Sequence, residues 1–125
     1  MNLKQQLGKS GEELAADFLK QNGYKIIARN YKTRLGEIDI IASDKDTLCF
    51  IEVKTRTSDR FGTGQEAVLG RKQRQISKTS LLYLKDNNLL NKKARFDVVS
   101  VTYCSGAPAL NLIKNAFELD GAFTY

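Results

Sequence analysis

Glu37-Ile38-Asp39-Ile40-Ile41-Ala42 and, a few residues on, Leu48-Cys49-Phe50-Ile51-Glu52-Val53-Lys54-Thr55 decide how this chain folds. Both runs are apolar and β-branched enough to be strands, and Ser43-Asp44-Lys45-Asp46 between them has turn composition. Side chains alternate between the two faces of a strand. Ile38, Ile40 and Ala42 are therefore expected on one face of the first run, with Glu37, Asp39 and Ile41 on the other. In the second run Leu48, Phe50, Glu52 and Lys54 share a face, and Cys49, Ile51 and Val53 share its reverse. Residues 24–31 read as a preceding strand and 32–35 as its turn, so the three strands make an antiparallel meander.

Outward from this meander the pattern becomes helical. Leu7, Leu14, Ala15, Phe18 and Leu19 fall at helical spacing and predict a helix over residues 9–22, with Gly23 at its C-terminal cap. Ser10-Gly11-Glu12-Glu13 fits a capping box at its start. Residues 57–64 read as a loop. Residues 65–86 read as a second helix, with a break near Gly70 and a buried face from Ile76, Tyr83 and Leu84. Residues 95–103 form a strand, Gly106-Ala107-Pro108 a turn, and residues 110–118 an edge strand. The fold class is α/β: an αβββαβ sandwich with a central mixed sheet flanked by helices, in one domain over residues 1–125.

Composition narrows the chemistry. No histidine occurs among the 125 residues, which excludes Ser-His-Asp and Cys-His nucleophile systems and imidazole acid–base catalysis. Two cysteines alone cannot complete a zinc site. Cys49 and Cys104 lie in strand-like runs and read as small buried hydrophobes, with no structural disulfide expected. A metal would have to be held by oxygen, which favours Mg²⁺ or Mn²⁺. The net charge is +6 and the pI about 9.4, a balance that suits a polyanionic partner through counterion release. No apolar run is long enough to span a membrane and the first residues lack a secretion signal, so cytoplasmic residence without membrane contact is expected.

Glu52 and Lys54 are two apart on one strand, with Cα atoms about 7 Å apart on the same face. The adjacent strand can bring Asp39 across from Glu52. Two carboxylates so placed repel unless a cation lies between them, and the Val53 carbonyl can give a third oxygen. Such a cation would polarise a phosphodiester and lower the pKa of a bound water, while Lys54 positions that water or steadies charge on the phosphate. Glu-x-Lys alone is a weak signal. The Gly36-Glu37-Ile38-Asp39 strand before it and the apolar lead-in over residues 48–51 strengthen it.

Gly36-Glu37-Ile38-Asp39 followed by Phe50-Ile51-Glu52-Val53-Lys54-Thr55-Arg56 resembles the restriction-endonuclease-like PD-(D/E)xK superfamily. More closely, the chain resembles the YraN-type family of small bacterial proteins, similar to archaeal Holliday-junction resolvases. The likeness extends to Gly8-to-Tyr24 with its Gly-x-x-Gly-Glu start, to Arg71-Lys72-Gln73-Arg74 and to Arg95-Phe96-Asp97-Val98-Val99. It implies Asp39 and Glu52 as metal ligands and Lys54 as the catalytic lysine. Glu13 would be an accessory acid and ligand from the first helix, although it is also the Glu of the capping box. Gln73 would support the site from the second helix. Two departures stand out: Ile38 replaces the proline of the superfamily name, and the second helix lacks a clear Gln-x-x-x-Tyr pattern.

Arg71, Arg74 and Lys78 make one helical stripe with Lys72 beside it, and Lys32, Arg34, Arg56 and Arg60 come from turns near the acidic strands. These are the candidate nucleic-acid contacts. Phe61 reads as a loop anchor or as a stacking residue, and Arg95 with Asp97 as a structural pair. The expected function is a metal-dependent endonuclease on DNA, extending to branched recombination or repair intermediates, with RNA and a homodimer left open. The alternative is a nucleic-acid-binding adaptor without catalysis.

Overall fold

The computed structural model describes residues 3–56, 70–103 and 107–117. Its elements run α1 (Leu3–Gln21), β1 (Lys25–Thr33), β2 (Gly36–Asp44), β3 (Thr47–Arg56), α2 (Gly70–Asp86), β4 (Lys93–Tyr103) and β5 (Pro108–Phe117). Both helices stop the same way. Gly23 (φ 90°) and Asn88 (φ 57°) take the left-handed conformation. The Tyr24 N–H then returns to the Leu19 carbonyl at 2.9 Å, and the Leu89 N–H to the Leu84 carbonyl at 2.7 Å. This satisfies carbonyls that the last turn leaves without partners.

The start of α1 differs from expectation. The helix is continuous from Leu3, so Ser10 lies inside it and cannot be the N-cap of a box with Glu13. The hairpin turns are also tighter than expected. Lys32 and Thr33 belong to β1, leaving Arg34-Leu35 as the turn, and Asp44 belongs to β2, leaving Lys45 (φ 58°) and Asp46. The segment at 57–64, the first part of the expected second helix (65–69), Arg60, Phe61 and Cys104 lie outside the described residues.

The five strands lie in sequence order, β1-β2-β3-β4-β5. β3 and β4 run parallel, with α2 in the crossover, and the other pairs are antiparallel. β5 is an edge, as its sequence suggests. One helix covers each face. Ala15, Ala16 and Leu19 of α1 pack on Ile40, Ala42, Cys49, Ile51, Val99 and Val101. Ile76 and Leu84 of α2 pack on Ile38, Ile41, Leu48, Phe50, Phe96 and Val98. The result is the restriction-endonuclease-like mixed-sheet sandwich. No described helix is long and apolar enough to cross a membrane.

β3 alternates as predicted, but β2 does not. Ile40 and Ala42 face α1, whereas Ile38 faces α2 together with Ile41. The alternation slips at Asp39. On β1 the residue between the Arg29–Ile40 and Tyr31–Ile38 pairs is Asn30 (φ 54°), so both strands are irregular at one level. A break of this kind re-aims a side chain.

On the α1 face of the sheet a buried network ties Tyr24, in the α1–β1 connection, to β4 and β5. Asp97, 1% exposed, accepts hydrogen bonds from the Tyr24 hydroxyl (2.9 Å), Arg95 Nε (3.0 Å) and the Asn115 N–H (2.9 Å). Arg95 also reaches Asp44 at 2.8 Å, and this contact holds Asp44 below the usual carboxylate range. The expected Arg95–Asp97 pair is therefore structural.

Candidate metal and nucleic-acid site

The irregularity at Asp39 creates the site. Pairing of β2 with β3 ends at Ile40–Ile51, one residue short of the expected Asp39–Glu52 rung. Freed from the ladder, Asp39 turns its carboxylate onto β3, where Oδ2 accepts the Val53 N–H at 2.8 Å. A backbone donor thus fixes one oxygen of Asp39. The Glu52 carboxyl lies alongside, in hydrogen-bonding reach of the Asp39 carboxyl.

Glu52 continues the Leu48–Phe50 face and emerges from the core only 7% exposed. Burial first, and then the Asp39 charge, push its carboxyl up to about 7. Two cations oppose that rise: Lys72 of α2, whose Nζ is 3.8 Å from Glu52 Oε1, and Lys54. Asp39, Glu52, Lys54 and Lys72 therefore form one electrostatic cluster. Charge pattern alone groups Lys72 with the basic stripe of Arg71, Arg74 and Lys78. Its spacing to the sheet-facing Ile76 and Thr79, at i+4 and i+7, was the available signal.

Of the two adjacent acids of α1, the one turned toward Asp39 is Glu12. Glu13 is exposed. Glu12 is half-buried, and burial followed by the charge of Asp39 raises its carboxyl. Glu12 Oε1 is buried and lacks a hydrogen-bond partner among the described residues. Arg29 and Lys32 partly offset its charge environment. The helix approaches closely here because residue 11 is glycine: a Cβ would collide with the Thr55 hydroxyl at the end of β3. Glu12 shares a helical stripe with Ala15, Ala16 and Leu19, at i, i+3, i+4 and i+7, and that spacing was legible in the sequence.

The remaining candidates are dispersed. Arg71, Arg74 and Lys78 line the exposed side of α2, Lys32 is exposed on β1, and Arg34 is exposed on the β1–β2 turn. Arg56 and Gln73 are half-buried.

The donor set suits a hard divalent cation: two adjacent carboxyls, one with a raised affinity for protons, and a third acid with a buried, unpartnered oxygen. Among the described residues no three acidic side chains stand close enough to enclose a cation alone. A cation on Asp39 and Glu52 would draw further oxygens from the Val53 carbonyl, water or a phosphate, as Mg²⁺ commonly does.

Fold and site together define a mixed-sheet α/β sandwich with a carboxylate pair and flanking lysines at the sheet's surface. The chain belongs to the uncharacterised protein family UPF0102, whose model matches residues 11–101. A UPF0102 protein of Geobacter metallireducens is 50% identical over 113 residues, covering 90% of this chain and 93% of its own. One from Syntrophus aciditrophicus is 52% identical over 112 residues, covering 90% and 88%. Among solved structures, Pyrococcus furiosus SfsA in complex with Ca²⁺ is similar over 89% of this chain and 62% of its own, with a TM-score of 0.40 and 11% identity. A likeness that slight supports no functional step.

Proposed function

We propose that this protein is a metal-dependent endonuclease that hydrolyses phosphodiester bonds in DNA, with branched recombination or repair intermediates as the leading substrates. The observation that carries this reading is the Asp39–Glu52 carboxyl pair, set at the rim of the core with Lys54 and Lys72 beside it. It is supported by the resemblance to the PD-(D/E)xK superfamily and by the +6 charge.

Asp39 and Glu52 would hold Mg²⁺ or Mn²⁺, with Val53 offering its carbonyl and Glu12 taking the accessory place first given to Glu13. A bound cation supplies Lewis-acid polarisation of the phosphate and a more acidic water. The chain's own residues do the rest. The Val53 N–H locks the Asp39 carboxylate in one orientation, so no reorganisation is needed when substrate arrives. Hydrolysis forms a bond from phosphorus to a water oxygen and breaks one to a sugar oxygen, with negative charge growing on the non-bridging oxygens. Lys54 Nζ donates to one of those oxygens, where its charge counts most in the transition state. Lys72 opposes the neutralisation of Glu52 by its own burial. The exposed Arg71 and Arg74 contribute backbone contacts that are independent of sequence.

The test is cleavage of branched, single-stranded and duplex DNA, with an RNA arm, in Mg²⁺ or Mn²⁺. Cleavage is expected to disappear in Asp39→Asn and Lys54→Ala. Cleavage that survives both substitutions sinks the reading. One observation favours a second function, a non-catalytic nucleic-acid adaptor: the Lys72 ammonium partly compensates the Glu52 charge. That function predicts salt-sensitive binding that ignores Mg²⁺ and tolerates Glu52→Gln.

A further inference from the structure

Away from the carboxylates, α2 presents a different surface. Lys78, Leu81, Leu82 and Lys85 recur at i, i+3, i+4 and i+7 and so form one stripe. The β1–β2 turn lays Arg34 and Leu35 beside it. These six residues line a cleft of about 340 Å³, within the size range of ligand pockets. Its three leucines are half-buried, and its three cations are exposed.

Ion pairs among the described residues engage Lys72, Lys93, Arg95 and Lys114, and none engages Arg34, Lys78 or Lys85. The cleft therefore combines an apolar floor with a rim of three positive charges that no described acid pairs. Nucleic acid fits the rim but not the floor. Strands that enter clefts are held by stacking on aromatic faces, and leucine has no such face. A polypeptide with bulky apolar side chains among aspartates or glutamates fits both parts. Its apolar groups would leave water on the leucines, while its carboxylates meet the cationic rim.

We propose that this cleft docks an acidic, leucine- or phenylalanine-bearing peptide segment of a partner protein. Apolar side chains of the segment sit between Leu35, Leu81 and Leu82, and its carboxylates pair with Arg34, Lys78 and Lys85. The surface is separate from the carboxylate site, so this docking does not rest on the nuclease reading. It would bring the protein to an assembly and leave the Asp39–Glu52 surface free.

Fluorescence anisotropy of a short labelled peptide, with aspartates flanking a leucine pair, tests the assignment on the full chain. Binding is expected, and Lys78→Glu with Lys85→Glu should weaken it about tenfold or more. Arg34→Glu on the turn should act in the same direction without disturbing α2. Replacing the peptide's leucines by serine should also abolish binding. Thermal denaturation of each variant separates lost docking from lost folding. Three results would overturn the proposal: no peptide binding by the folded wild type, equal binding of the serine peptide, or peptide binding that ignores all three charge reversals. A single-stranded oligonucleotide that binds where the peptide does not, and is lost through the same reversals, would make nucleic acid the occupant and refute the peptide.

Discussion

The Val53 backbone N–H donates to Asp39 Oδ2 at 2.8 Å, so a side chain of β2 takes up a donor of β3 where the ladder between these strands has ended. The pairing that would have flattened the sheet is replaced by one that aims a carboxylate. It also holds Asp39 beside Glu52 in the absence of any cation, which makes the metal-free protein a store of electrostatic repulsion.

That repulsion predicts a pH dependence of stability. The Glu52 carboxyl is raised in the folded state from 4.5 to about 7, so the folded protein binds more protons than the unfolded chain between these values. Stability is then highest below pH 4.5 in this respect and is lost as pH rises through 7, by up to about 3 kcal/mol. Glu52→Gln in EDTA should therefore be more stable than the wild type at pH 8 and nearly equal to it at pH 4.5. Urea titrations at the two pH values check this, and parallel losses in both proteins would refute it.

A divalent cation should reverse the same loss. At pH 8, Mg²⁺ at a hundred times its dissociation constant stabilises the folded state by about 2.7 kcal/mol. The wild type should gain in Tm, whereas Asp39→Asn and Glu52→Gln should gain little. Differential scanning calorimetry with Mg²⁺ against K⁺ at matched ionic strength distinguishes a specific site from screening.

Asp97 should be the most sensitive polar position on the α1 face of the sheet, one rung from Glu52 on the neighbouring strand. Asp97→Ala removes the acceptor of the Tyr24 hydroxyl, which keeps only its bond from Arg95, leaves the Asn115 N–H without its acceptor and deprives Arg95 of one of its two carboxylates. Removing one member of a buried ion pair typically costs about 3–5 kcal/mol. Equilibrium unfolding should show a loss of that order. A change under about 1 kcal/mol would mean that water satisfies these groups.

Gly11→Ala should push α1 away from β3, because the added Cβ meets the Thr55 hydroxyl. Overpacking of this kind typically costs about 1–3 kcal/mol. Adding Thr55→Ala should restore most of the loss. A double-mutant cycle on thermal stability measures the coupling.

The Cys49 thiol is fully buried, and burial together with the Asp97 charge pushes it up to about 12. In a Cys104→Ser background, thiol reagents should label Cys49 only after denaturation. Fast labelling at pH 8 in native buffer would show that the α1 face opens.

Much of this was written in local pattern. The apolar run ending in Glu52-Val53-Lys54 alternates faithfully, so β3 and the side of the sheet it presents were readable. Alternation places Ile38 with Ile40 because it assumes an unbroken pleat. The break at Asp39 lies level with the positive-φ Asn30 of the neighbouring strand, a tertiary relationship invisible in either segment alone. Glu13 enters through the family resemblance, with the capping box as its competing reading, and neither uses the stripe through Ala15, Ala16 and Leu19 that turns Glu12 toward the sheet. Because the helix extends back to Leu3, the capping box does not form, and the stripe distinguishes the two acids. Charge pattern groups Lys72 with its basic neighbours because it shows composition, whereas only packing reveals which ammonium reaches Glu52.

The parallel contact between β3 and β4 carries a consequence for biosynthesis. Thr47 pairs with Lys93 and Arg56 with Thr102, so the central rungs must wait until the whole α2 crossover has been synthesised. The β1–β3 meander closes through short turns and can form first. Until β4 arrives, the Leu48-Cys49-Phe50-Ile51 edge of β3 is open to any passing strand, a recognised route to aggregation. The most vulnerable moment in the life of this protein therefore falls on the ribosome, between the emergence of Arg56 and that of Lys93.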